Sequence, residues 1–338
     1  MTGKTGTAHR PAPGVCRSLL FCLACLATQG ASAQAGSSPA QFFTAPDSSL
    51  ASGSLSKTSP MLPRGVLRLA EDEQFLFWVE LEQGRLHVLE RNEEGGMDLK
   101  ITVPVSIGKN GFGKQVEGDR KTPVGVYRLT SFLPDDKLID YYGLGAYPLN
   151  YPNVLDRRIG RTGSGIWLHG LPKDVNSRPL QDSDGCVVID NDSFQAMAPY
   201  ITTGITHMVL AESGIAWAPA QKSLDRGRSV QAAFDAWRTA WANKDNAAYL
   251  SWYADEFSDF SRNKRQWSDY KSRVNNSKRW IEVDASQVSI YADPVQPQLV
   301  TVRYYQQYSS NNYNWRGWKE QLWRETDACW RIVYEGNG

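Results

Sequence analysis

The stretch GIWLHGLPKDVNSRPLQDSDGCVVID, residues 165–190, decides the fold. Its ends are apolar runs of strand type, 165–169 and 187–189, joined by a segment rich in Pro, Asp and Asn, so it reads as strand, loop, strand. The chemistry sits where the runs end and begin. His169 closes the first run and is followed by Gly170; Cys186 opens the second, inside Ser183-Asp184-Gly185-Cys186. A strand end and a returning loop can meet across one sheet edge, and an imidazole there would take the thiol's proton or hold it as thiolate. Gly185, lacking Cβ, is expected to let the backbone N–H groups of residues 185 and 186 approach a developing oxyanion. On residue type alone, Cys186 also fits a small buried hydrophobe and His169 a structural hydrogen bond.

Upstream lies GDRKTPVGVYRLTSF at 118–132, where Pro123 and Gly125 punctuate a turn into a strand at 126–132. Before it, 75–81, 85–90 and 99–107 read as strands separated by Gln83-Gly84 and Gly95-Gly96. Between the two motifs, 134–165 reads as a long functional loop carrying Tyr141, Tyr142, Tyr147 and Tyr151. Downstream, Asp190 or Asn191 caps a short helix at about 192–200, and 207–211 closes a mostly β unit spanning 73–212. His87 and His207 are expected to be structural.

The flanks have other textures. Arg10 and Arg17, an apolar core at 18–28 and Ala31-Ser32-Ala33 make residues 1–33 a signal peptide, its core about half the roughly 20 residues of a membrane span. The protein is therefore expected to be exported, to the periplasm or cell envelope. Residues 34–72 and 213–228 read as linkers. After the signal only Cys186 and Cys329 remain, and they lie in different domains, so no disulfide is expected.

From residue 229 the period becomes helical: Val230, Phe234, Trp237 and Trp241 share one face. Further helices at about 246–257 and 265–274 precede strands at 280–283, 288–291, 299–308, 315–324 and 330–334, an α+β order. Nine of the 12 Trp and nine of the 15 Tyr fall in 229–338. Trp237 and Trp241 are assigned to the core, whereas Tyr304, Tyr305, Tyr308, Tyr313, Trp315 and Trp318 could equally wall a sugar-binding pocket. The module is thus expected to hold glycan or pair with a second copy of itself.

Composition excludes several classes. With 37 Lys+Arg against 36 Asp+Glu there is no basic field for nucleic acid. The few histidines include no His-x-x-x-His and after residue 33 there is no Cys-x-x-Cys, so neither a metal, a cofactor nor dithiol redox chemistry is expected.

Three ordered motifs carry a resemblance. Gly118 to Tyr127 reads Gly-Asp-x-x-Thr-Pro-x-Gly-x-aromatic, followed by His169-Gly170 and Ser183-Asp184-Gly185-Cys186. Residues 73–212 thereby resemble the YkuD-type L,D-transpeptidase catalytic domain, mainly β. Residues 229–338 resemble the nuclear transport factor 2-like α+β cone. The pair is similar to cell-shape-determining L,D-carboxypeptidases. The resemblance implies acyl transfer on peptidoglycan stem peptides: Cys186 as nucleophile, His169 as base and the Gly170 carbonyl orienting the imidazole. The thioacyl-enzyme would be resolved by an amine, or by water in the carboxypeptidase alternative.

Two positions depart from the family pattern. Asp184 stands where a second His is usual, and Val188 where an Arg is usual. Arg120, Arg161 and Arg178 are the loop cations that could read substrate carboxylates instead, with Tyr142 as a further contact. A non-catalytic wall-binding protein is the alternative of another class; retention of Cys186, His169 and Gly185 speaks against it.

Overall fold

A computed structural model describes residues 59–327 and 329–338, so the expected signal peptide at 1–33 and residues 34–58 of the expected lead-in lie outside the described residues. Its first elements are β1 (Met61–Pro63), β2 (Val66–Arg68), β3 (Phe75–Glu80), β4 (Arg85–Arg91), β5 (Met97–Pro104) and β6 (Ile107–Gly108). Then come β7 (Gly125–Arg128), β8 (Leu133–Pro134), β9 (Gly145–Pro148), α1 (Val154–Arg158), β10 (Trp167–His169), β11 (Gln181–Ser183), β12 (Val187–Val188), α2 (Asn191–Met197) and β13 (His207–Ala211). The main sheet of this unit has the order β5-β4-β3-β13-β7, and a second sheet the order β12-β10-β9-β8.

Strand β3 is apolar without alternation because both of its faces are covered. Phe77 and Val79 join one core with Leu86, Val88, Tyr127, Leu168 and Ile189. Leu76 and Trp78 join another with Leu62, Val209 and Tyr291. Each such side chain stabilises the fold by about 1.5–3 kcal/mol relative to exposure. The 134–165 segment, expected as loop, instead holds β8, β9 and α1, the helix closed by a capping box between Asn153 and Asp156.

The C-terminal domain packs α3 (Ala220–Ala242), α4 (Asn246–Ser251) and α5 (Lys264–Asn276) on β15 (Ile281–Ala292), β16 (Leu299–Ser310), β17 (Tyr313–Glu325) and β18 (Trp330–Asn337), after the short β14 (Trp217–Pro219). Val230, Phe234, Trp237 and Trp241 face its core, as their spacing predicts. The two strands expected at 280–283 and 288–291 are one strand, irregular between Ser286 and Ser289, where Gln287 adopts φ +52°.

Both expected linkers are partly structured. β1 pairs antiparallel with β14, and β2 is the edge strand of the C-terminal sheet, order β18-β17-β16-β15-β2. Residues 220–228 form the first turns of α3. Gly227 permits this packing, since a Cβ there would overlap the Leu67 carbonyl oxygen of β2. The domains also share a buried cluster in which His207 Nδ1 lies 2.5 Å from Glu73 Oε1 and the Tyr291 hydroxyl donates to the same oxygen at 2.7 Å. His87 Nδ1 lies 2.8 Å from Thr102 Oγ1, so both histidines are structural, and Cys186 and Cys329 are free thiols. A cavity of about 720 Å³ lies among Leu67, Trp78, Val126, Val209, Ala218 and Tyr291; neither Cys186 nor His169 lines it.

Candidate active site

Strand register places Cys186 and His169 at the ends of adjacent strands. β10 and β12 run parallel with Leu168 opposite Val187 and His169 opposite Val188, so Cys186, the residue before β12, lies level with Trp167. On its other side β10 pairs antiparallel with β9. The strand end is fixed by hydrogen bonds from Ile189 N to His169 O (3.1 Å) and from Gly170 N to Gly145 O (3.4 Å).

His169 is fully buried, with Nδ1 2.7 Å from the Gly170 carbonyl oxygen. A carbonyl only accepts, so Nδ1 carries the proton and Nε2 presents its lone pair. That Nε2 is buried and has no hydrogen-bond partner among the described residues. Tyr142 packs against the imidazole edge-on with ring centroids 5.0 Å apart, and Tyr141 lies 5.8 Å away. Tyr142 also meets Trp167 at 4.8 Å, which makes it part of the wall around the histidine.

Burial favours the neutral form of both groups. Burial pushes the Cys186 thiol up to about 11, and the Trp167 N–H and the Arg178 charge oppose this only in part. Burial likewise holds His169 down at about 4. Burial thus weighs against the low-pKa thiolate that the Cys–His pairing in the sequence leads one to expect. The thiol donates to the Gly165 carbonyl at 3.5 Å.

The turn before the thiol also corrects an expectation. Ser183 Oγ donates to the Cys186 carbonyl (2.7 Å) and accepts from Gly185 N (3.1 Å), so the Gly185 N–H is already engaged. Gly185 is needed for another reason: its φ is +125°, and a Cβ would lie 2.9 Å from the Lys121 carbonyl oxygen and 3.0 Å from Ile166 Cδ1. Cys186 N–H takes no hydrogen bond among the described residues and remains the candidate oxyanion donor.

Residues 118–127 support this turn. Although burial opposes ionisation, the Lys114 ammonium at 2.7 Å and the N–H groups of Gln115, Val116 and Lys121 hold the Asp119 carboxyl down at about 2. Thr122 Oγ1 accepts from Gly108 N at 2.9 Å. The segment so fixed presents the Lys121 carbonyl against Gly185.

The three candidate arginines have different surroundings. Arg161 is 10% exposed and is bound to Asp156 (2.8 Å) and the Val124 carbonyl (3.2 Å), a structural ion pair rather than a substrate contact. Arg120 is exposed, with Nε 3.6 Å from Asp184; Lys109 lies 3.7 Å from the same oxygen. The anion gained at Asp184 is thus flanked by two cations at the mouth of the site. Arg178 lies over the Tyr141 ring at 5.2 Å and pairs through Nε with Asp182 at 3.0 Å.

One residue of the site was read only as a helix cap. Asn191 Nδ2 donates to the Leu171 carbonyl (2.8 Å) and its Oδ1 accepts from Leu144 N (3.3 Å). It ties the turn after His169 to the turn after Tyr142, and a Cβ at Gly170 or Gly143 would overlap its Oδ1. The signal was the pair of glycines, each following a site residue by one position. Among the described residues no group of three His, Cys, Asp or Glu side chains could hold a metal ion.

The aromatic residues of the C-terminal domain are mainly core. Tyr304, Trp237, Tyr249, Tyr253 and Trp323 are fully buried and fill the space inside the sheet, so of the six residues offered as a pocket wall Tyr304 belongs to the core. Tyr308 is also core; Tyr305, Trp315 and Trp318 are half-buried and Tyr313 is exposed.

The sheet pair and the arrangement around Cys186 define an enzyme of L,D-transpeptidase type. Residues 74–210 match the model of the L,D-transpeptidase catalytic domain, and residues 229–336 that of the Cds6 C-terminal NTF2-like domain. The structure is similar to Bd1075 of Bdellovibrio bacteriovorus, at 30% identity over 82% of this chain and 97% of that one, TM-score 0.66. It is also similar to the helical cell shape determining protein Pgp2 of Campylobacter jejuni, at 26% identity over 81% and 95%, TM-score 0.67. A search of curated proteins found no match. The chain belongs to the family that joins an L,D-transpeptidase catalytic domain to an NTF2-like domain.

Proposed function

We propose that this protein is a cysteine-dependent acyltransferase of peptidoglycan stem peptides that works through a thioacyl-enzyme on Cys186. The observation that carries the reading is His169: Nδ1 committed to the Gly170 carbonyl, and Nε2 buried without a partner beside the strand that Cys186 opens. From the neutral pair, Nε2 takes the thiol proton as Sγ bonds to the substrate carbonyl carbon. The Cys186 N–H receives the oxyanion. The C–N bond then breaks, and the imidazolium gives its proton to the departing amine.

A second nucleophile resolves the thioester, with His169 again the base. An amine from another stem gives transpeptidation. Water gives L,D-carboxypeptidase activity, and the observation favouring it is likeness through both domains to the helical cell shape determining protein Pgp2 of Campylobacter jejuni. Trimming stems is a direct way to alter shape, because it removes sites for cross-linking. We place the enzyme in the cell envelope, exported by residues 1–33.

The test is incubation with disaccharide-tetrapeptide followed by mass spectrometry. Tripeptide reports water as acceptor and cross-linked dimers report an amine. Cys186→Ala should abolish both. More than about a hundredth of the activity remaining in Cys186→Ala would end the assignment, since loss of a nucleophile costs far more.

A further inference from the structure

An acyltransferase that removes only the terminal residue of a stem must recognise the chain end, and the chain end is a carboxylate. The family's usual cation after the Cys is here Val188, a buried strand residue. Of the other cations, Arg161 is committed to Asp156 and Val124, and Lys109 and Arg120 flank the exposed Asp184.

Arg161 also keeps a buried Nε without a partner, but of these cations it is Arg178 that lies over a ring beside His169. The Arg178 side chain is only 13% exposed, and its guanidinium lies 5.2 Å from the Tyr141 ring, which itself lies 5.8 Å from His169. One side of the fork, Nε, faces Asp182, whereas Nη1 is buried with no hydrogen-bond partner among the described residues. A buried donor without an acceptor is costly and exceptional in a folded protein. A guanidinium held through Nε, with Nη1 unpaired, keeps a donor that an anionic acceptor would satisfy. The Arg178 charge also bears on both His169 and Cys186, which puts it near the reacting atoms.

We infer that Arg178 binds the terminal carboxylate of the residue that the reaction expels, with Asp182 and the Tyr141 ring holding the guanidinium in place. This rests on the acyl-transfer reading above. In a stem cut one residue from its end, that carboxylate is one residue beyond the attacked carbonyl, about 3.8 Å further in Cα spacing. A cation beside the Cys–His pair is where such a reader has to be. Arg178 thereby limits the enzyme to chain ends.

The experiment compares a tetrapeptide stem with its C-terminal carboxamide. Wild-type protein should favour the acid by about 10- to 100-fold in kcat/KM, the range of one charged hydrogen-bonding partner. Arg178→Gln should raise KM for the acid and abolish the preference, and Arg178→Lys should restore part of it. Equal kcat/KM for acid and amide in the wild type would overturn the proposal without any variant, as would an undiminished preference in a folded Arg178→Gln. Wild-type protein turning over neither substrate would instead remove the acyl-transfer reading and this proposal with it.

Discussion

Alkylation of Cys186 by iodoacetamide across pH reads the charge state of the Cys186–His169 pair. With the thiol at about 11, roughly one molecule in ten thousand carries thiolate at pH 7. The alkylation rate should therefore climb about tenfold per pH unit from 7 to 10. A thiolate–imidazolium pair would give a flat rate over that range. At pH 7 it would react about 100-fold faster, because a gain of about 10⁴ in thiolate is offset by the weaker nucleophilicity of a low-pKa sulfur. Mass spectrometry of the Cys186 peptide gives the rate, and Cys329 in the same protein is a reference thiol. His169→Gln sharpens the test. If the imidazole is already neutral, removing it should leave the alkylation profile unmoved while abolishing turnover. A plateau reached by pH 7, or a profile that shifts upward in His169→Gln, would refute the neutral pair.

Three further outcomes are expected. His169 is held at about 4, below the ordinary value of 6.5, so between those values the unfolded chain binds the extra proton. Stability should be fully present above about 6.5 and fall by on the order of 3 kcal/mol as pH drops toward 4, a loss that urea unfolding should find reduced in His169→Gln. Gly227→Ala would gain about 1 kcal/mol on helix propensity alone; overlap with the Leu67 carbonyl should turn this into a net loss, and a raised Tm would show that α3 does not need its close approach to β2. Asn191→Ala frees the turns at Leu171 and Leu144 and should lower kcat about tenfold with KM little changed and the fold intact, whereas unchanged kcat would show that Gly170 orients His169 unaided.

The junction between the domains was the part of the fold least legible in the sequence. The run at 75–81 announces a strand, but only the structure shows that its two faces serve two cores. Strand β2 is three residues long and pairs with β15, more than 200 residues away; a pattern so short and a partner so remote leave no local periodicity. The opening turns of α3 escaped for a different reason. They bury Ala220, Ser223 and Gly227 against their surroundings, and burial through small residues leaves no apolar stripe to read. The later turns, carried by Phe234, Trp237 and Trp241, do leave one.

The candidate site divides along a similar line. The identity of the thiol and the imidazole was legible because such chemistry needs particular side chains at particular strand ends. Their charge state was not, because it depends on desolvation by residues that only the fold assembles, Tyr141 and Tyr142 among them. The arginines show this most clearly. Arg161 and Arg178 are both loop residues with an aspartate close in sequence, Asp156 five residues before the one and Asp182 four after the other. Asp156 is buried in the first turn of α1, where it also accepts from Tyr127 and from Asn153 N, so its charge is enclosed and Arg161 is drawn in with it. Asp182 is 39% exposed and meets Arg178 through Nε. Water screens that pair, and Nη1 is left without a protein partner among the described residues. The burial of the carboxylate, rather than the presence of the arginine, decides which cation is structural and which remains free to meet a substrate.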